Sequence, residues 1–179
     1  MRCSSLKDTG LLTPLLCLVV VCLTVPPVKA QYSGGTGTPE DPYQIATAND
    51  LIALGETPDD YDKHFIMTAD IDLDPNLPGG RVFDRAVIAA DTNSADDYYP
   101  EFQGIPFKGN FEGNAHVIKY LTIEGESFLG IFGQIASGAE VKGLGVVDAT
   151  IIASGWYIGG LIGSNYNWLS QDAGKVTEC

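Results

Sequence analysis

Cysteine is nearly absent where it would matter. Cys3, Cys17 and Cys22 all precede Gln31, and beyond them only Cys179 remains. No disulfide can form within that remainder, so backbone ladders and apolar packing have to hold it together. Histidine is scarcer still, with His64 and His116 alone. Zinc peptidase chemistry needs two histidines one helical turn apart and a glutamate as base. These two lie in alternating, strand-like sequence, and neither is followed by glutamate. A serine triad would need a histidine base, and no Gly-x-Ser-x-Gly elbow occurs. A cysteine nucleophile would have to be the final residue. No glycine loop ends in Lys-Ser or Lys-Thr to cradle a phosphate. The residues therefore read as a non-enzymatic chain.

Positive charge is also in short supply. The chain has 10 Lys and Arg against 23 Asp and Glu, and a formal net charge of −13. Setting aside residues 1–30 removes Arg2, Lys7 and Lys29 but only one acid, Asp8, so the remainder is more acidic still. Such a surface repels nucleic acid and anionic lipid, favours solubility and attracts divalent cations.

The only long apolar run is at the start. Arg2 and Lys7 precede a stretch from Leu11 to Val25 that Pro26-Pro27 ends, and Val28-Lys29-Ala30 resembles a cleavage site before Gln31. Roughly 15 apolar residues fall short of the ~20 that span a bilayer as a helix. The expectation is a signal peptide over 1–30, cut between Ala30 and Gln31, with no membrane insertion afterwards and a secreted, cell-surface or periplasmic destination. A lipoprotein would use Cys22, but Val21 stands where a small residue is expected.

What remains, 31–179, suffices for one domain. Residues 31–63 read as a lead-in and a capping helix. Tyr43-Gln44-Ile45 suits a short strand. Thr47 and Asp50 are spaced as an N-cap and its reciprocal partner, Leu51, Ile52 and Leu54 give an apolar face, and Gly55 suits a stop. Residues 64–179 are patterned for β structure. Ala69, Ile71 and Leu73 alternate with Asp70, Asp72 and Asp74, Val82 to Ala90 is a further strand candidate, and Asp91 to Glu101 is an acidic excursion. Ile118, Leu121 and Ile123 are echoed, with the same internal spacing, by Val141, Leu144 and Val146. Gly130-Ile131-Phe132-Gly133 recurs further on as Gly160-Leu161-Ile162-Gly163. Short strands returning at intervals of roughly 20–30 residues point to a β-solenoid, whereas a β-sandwich brings strands at about 8–12-residue spacing. Val176 is placed to pair with the layer containing Val141, given an insertion over 165–173. Only two glycine repeats stand before the last residue, and nothing caps that end, so a piece of a longer surface protein is expected.

Among candidate site residues, Asp70, Asp72 and Asp74 form a row ~6.5–7 Å apart, with Arg81 and Arg85 following. Paired carboxylates, or carboxylates holding Ca²⁺ beside a basic residue, are what carbohydrate cleavage uses. A charged solvent face that deters edge pairing is the alternative. Asp91, Asp96 and Asp97 add possible Ca²⁺ contacts, and no other cofactor is implied. His116 reads as a packed histidine. Trp156, Tyr157, Tyr166 and Trp168 suit wedges of the final layers, or platforms for sugar rings.

The stretches Tyr157-Ile-Gly-Gly-Leu-Ile-Gly163, Phe128-Leu-Gly-Ile-Phe-Gly133, and Phe107-Lys-Gly-Asn-Phe-Glu-Gly-Asn-Ala-His-Val-Ile118 resemble proteins carrying the GLUG motif. Gly37 to Ile45 and Ala69 to Leu73 resemble segments that precede such repeats. Ala115 stands where the pattern has glycine. The resemblance implies a right-handed parallel β-helix-like fold and an extracellular, adhesin-like role, with further repeats or a surface ligand as partner. It implies structural glycines at Gly130, Gly133, Gly159, Gly160 and Gly163, and no catalytic residue. The alternative function is a carbohydrate-active β-helix enzyme or its sugar-binding part.

Overall fold

The structure is a computed structural model that describes residues 31–93, 101–165 and 173–179. The expected signal segment, Asp96, Asp97, Tyr166 and Trp168 lie outside them. The described residues are rich in strand, with one short α-helix, and every named strand pairing is parallel.

The chain opens with Ser33 and Gly34 laid against Gln44, whose backbone accepts from Ser33 N and donates to Gly34 O. Strand β1 (Tyr43–Ile45) follows, then α1 (Ala48–Gly55). The helix starts where the local chemistry requires. The Thr47 side chain accepts from Asp50 N, and the Asp50 carboxylate accepts from Thr47 N at 2.9 Å and Ala46 N at 3.0 Å. This capping box satisfies amides that the first turn leaves orphaned. Gly55 is the last helical residue rather than a left-handed stop, and its requirement is steric. A Cβ there would lie 1.9 Å from the Val87 carbonyl oxygen. Leu51 and Leu54, fully buried, seat the helix on the common core.

Beyond a 3-10 turn at Pro58–Asp60, the chain makes β2 (His64–Met67) and β3 (Ile71–Asp72). The next pass has β4 (Asn110–Glu112), β5 (Val117–Lys119), β6 (Thr122–Gly125) and β7 (Phe132–Gln134). The one after repeats that order as β8 (Glu140–Lys142), β9 (Gly145–Val147), β10 (Thr150–Ala153) and β11 (Ile162–Ser164). β12 (Lys175–Thr177) ends the described chain.

These strands form four ladders: β1-β2-β4-β8-β12, β3-β5-β9, β6-β10 and β7-β11. Phe132 pairs with Ile162, which is the offset of the glycine repeat. Val176 pairs with Val141 as its spacing suggested. The echo that overlaid Ile118 on Val141 is corrected. Ile118 pairs with Val146 and Phe111 with Val141, so the step between passes is longer than that echo and Val141 stacks on Phe111 instead. Val82 to Ala90 is not a continuous strand. It touches the ladders only through bridges at Phe83–Ile123 and Ile88–Phe132, because the Asp84-Arg85 turn lies between them and Ala89 takes a positive φ of 51°.

Inward positions stack through the passes. In the first ladder Phe65, Phe111 and Val141 are aligned and buried, and the Phe65 and Phe111 rings stack at 6.3 Å. The Phe107 ring lies tilted against Phe65 at 6.1 Å and Phe132 at 5.1 Å, and Phe111 meets Phe132 edge-on at 5.5 Å. Tyr32, from the lead-in, is 5% exposed and packs edge-on against Phe65. Its hydroxyl donates to Asp60 Oδ2 at 2.8 Å, and burial with this acceptor pushes its acidity far below that of a free phenol. Tyr61 ties three segments together: its hydroxyl donates to Gly55 O and accepts from Ala89 N, both at 2.9 Å.

Candidate functional site

The two ends of the ladder stack differ. At the β1 end, Ile71, Phe83 and Ile88 are buried at 1%, 6% and 0% exposure, with α1 and the lead-in packed over the same core. At the β12 end each ladder finishes on a residue whose counterpart one pass earlier is sealed. Val176 is 37% exposed above a buried Val141, and Val146, Ile151 and Ile162 are half-buried beside fully buried Ile118, Ile123 and Phe132. Val147, Ile152, Trp156, Tyr157 and Ile158 join them as exposed apolar side chains on this last pass.

Of the two readings of Trp156, a wedge of the final layers or a platform for sugar rings, the first does not fit a side chain left 58% exposed. Tyr157 is also exposed, although its ring stacks on the buried Phe128 at 4.7 Å and 12°. One face of Tyr157 is thus backed by the core.

The three aspartates of the alternating strand do not act together. Asp70 accepts from Val117 N at 3.2 Å and lies 3.1 Å from His116 Nδ1, and these contacts hold its carboxyl below the usual range. His116 is therefore a part-buried side chain held in polar contact with Asp70 rather than a histidine packed only among apolar neighbours. Asp72 accepts from Asp74 N, and Asp74 accepts from Asn76 N and Nδ2. The regular strand is only Ile71–Asp72, because these side chains fold back on their own backbone and turn the chain before Pro75. Asp72, Asp74, Arg81 and Asn49 do line one cleft of about 270 Å³ beside α1. Arg81 there faces Glu56 at 3.6 Å and lies over the Phe83 ring at 4.8 Å, while Arg85 is taken by Asp84. Among the described residues, no group of three His, Cys, Asp or Glu is arranged to hold a metal ion.

Asp91 closes the base of the acidic excursion. Its Oδ1 accepts from Thr92 N at 2.9 Å and Gln103 N at 2.8 Å, and Thr92 Oγ1 donates to Gln103 O. Sequence reasoning named Asp91 as a calcium contact and missed Glu126, which lines the same cavity; only folding brings residues 91 and 126 together.

The repeat glycines have unequal duties. A Cβ at Gly133 would meet Ala89 O at 2.3 Å, and one at Gly163, in the equivalent place a pass later, would meet Tyr157 O at 2.7 Å. Gly130 and Gly159 are likewise hemmed in by backbone, whereas nothing stands within 4 Å of a Cβ at Gly160. Gln31 is exposed, and its side-chain amide contacts Thr57 Oγ1.

Two relatives are similar to this chain. One is Halomucin of Haloquadratum walsbyi, 27% identical over 123 residues that cover 65% of the chain and 1% of Halomucin. The other is a protein provisionally named a Gly-rich membrane protein of Evansella cellulosilytica, 28% identical over 175 residues, covering 90% of the chain and 18% of that protein. The chain thus spans less than a fifth of the length of either. No protein-family model matches it, and no solved structure does. No helix among the described residues is long and apolar enough to cross a membrane.

Proposed function

We propose that this chain is a secreted or cell-surface, non-enzymatic repeat module, built as a right-handed parallel β-helix-like solenoid with GLUG-type repeats and serving adhesion or scaffolding. The observation that carries the reading is the set of four parallel ladders climbing together, Phe111 to Val141, Ile118 to Val146, Ile123 to Ile151 and Phe132 to Ile162, in nearly equal steps along the chain. A chain that winds round the same four corners produces that pattern; hairpin-built sandwiches pair their neighbours antiparallel. The half-open apolar end suits a partner that adds a further layer, either more repeats of a longer chain or the edge of a surface ligand. The long relatives are in keeping with a module set in a larger protein, and their names speak of a mucin and of a membrane.

The second reading is a carbohydrate-active β-helix enzyme or its sugar-binding part. The cleft that holds Asp72, Asp74 and Arg81 favours it, together with the exposed Trp156. A glycan array run beside pectate and alginate cleavage assays separates the two. The first reading expects no turnover by the native chain. Cleavage that disappears in Asp72→Ala would replace it with the second.

A further inference from the structure

Beside the Asp84-Arg85 turn lies a cavity of about 230 Å³ whose wall includes Asp84, Arg85, Asp91, Glu126 and Ser127. Asp91 is only 9% exposed. Its Oδ1 is occupied by two backbone amides, but its Oδ2 is sealed from solvent and has no hydrogen-bond partner. Glu126 Oε2 is in the same condition, buried and unpartnered. The wall's cation, Arg85, is engaged elsewhere, gripping Asp84 through Nε at 2.9 Å and Nη2 at 3.1 Å. Those two charges offset each other. What remains is two carboxylates on one cavity, each with an oxygen that no donor reaches.

A buried acceptor without a donor costs roughly 1–3 kcal/mol, and more when charged. Two such groups sharing a cavity add mutual repulsion. We propose that this cavity is a cation site, filled by Ca²⁺ held by Asp91 Oδ2 and Glu126 Oε2, with water completing the shell. The ligands are hard oxygens, which excludes the thiophilic metals. Calcium takes about 6–8 oxygens in irregular geometry, so two protein carboxylates plus water suit it, and the cavity has room for several waters at ~30 Å³ each. Magnesium demands a nearly ideal octahedron, which two carboxylates on separate segments do not preset. Two protein carboxylates, with water as the remaining ligands, suit a site of modest affinity, in the ~10⁻⁴–10⁻³ M range of extracellular modules. The ion would link the base of the acidic excursion (Asp91) to the corner after β6 (Glu126).

Thermal unfolding of the purified chain, stripped with EDTA and titrated with CaCl₂ or MgCl₂, tests this, with terbium luminescence as a direct readout of binding. Calcium should raise Tm by several degrees and magnesium by less, with terbium saturating at one site. Glu126→Gln should abolish the calcium response while leaving the metal-free chain as stable or more stable, since one of two like charges is gone. Asp91→Asn should also lose the response; should that variant fold poorly because the excursion loosens, Glu126→Gln decides. Asp72→Asn, which alters an exposed carboxylate elsewhere, should respond as the native chain does. No Tm shift and no terbium binding up to ~10 mM calcium, well above the expected affinity range, would overturn the site. So would a response that survives in Glu126→Gln, because the ion would then sit somewhere else.

Discussion

Ala115, Gly143 and Glu178 hold φ angles of 61°, 62° and 57°, and backbone bonds link them pass to pass: Ala115 N donates to Gly143 O, and Gly143 N to Thr177 O. Tyr120 and Asp148, and Phe128 and Tyr157, form two more such pairs of left-handed residues on successive passes. Corners are therefore repeated conformations as well as repeated positions. Only one member of the first set is glycine, so the others carry the ~1–2 kcal/mol that an L-residue pays in this region. Ala115 is exposed, so its methyl buries little apolar surface that Gly would lose. Ala115→Gly should therefore raise stability by about 0.5–1 kcal/mol after the extra unfolded-state entropy of glycine is deducted, read as a higher urea midpoint at unchanged slope. Phe128→Gly should do the opposite, since losing a side chain that is 2% exposed costs more than the relieved φ returns. The resemblance expects glycine at this position, and Ala115 in its place puts a positive-φ turn in doubt. The turn forms anyway, because two neighbouring backbones bond to it.

At the scale of elements, the helix was legible to within a residue because its signals are local: Thr47, Asp50 and the Leu51–Leu54 face act within two turns. The glycine repeat was legible because the close approaches at Gly133 and Gly163 recur with the strands they flank. The echo of Ile118 in Val141 misled because apolar residues at i, i+3 and i+5 mark any strand-corner-strand, so unlike corners could be overlaid. Tyr32 and the Asp91–Glu126 cavity were illegible, since each depends on contacts between segments far apart in sequence. The ladder order has a dynamic consequence. β2 and β4 lie inside the five-stranded sheet, while β12, among the described residues, pairs with β8 alone and is pinned by Lys175 to Glu140 at 2.6 Å. That exposed pair is worth little. Hydrogen exchange should find the amides of β12 opening first and those of β4 last. Equal protection would mean that the free edge of β12 is covered in solution.

For the whole molecule, the contrast between a sealed and an open end connects fold to proposed role. An acidic exterior of net charge −13 disfavours indiscriminate association, while the exposed apolar side chains of the last pass are what the proposed role would use. The central claim is that the chain winds in parallel, in-register passes. Cross-strand contacts in the NMR spectrum of the full chain test it most directly. Parallel winding expects amide-to-Hα contacts linking Phe111 with Val141, Ile118 with Val146, Ile123 with Ile151 and Phe132 with Ile162. Close Hα-to-Hα contacts between successive strands, the mark of antiparallel hairpins, would contradict it.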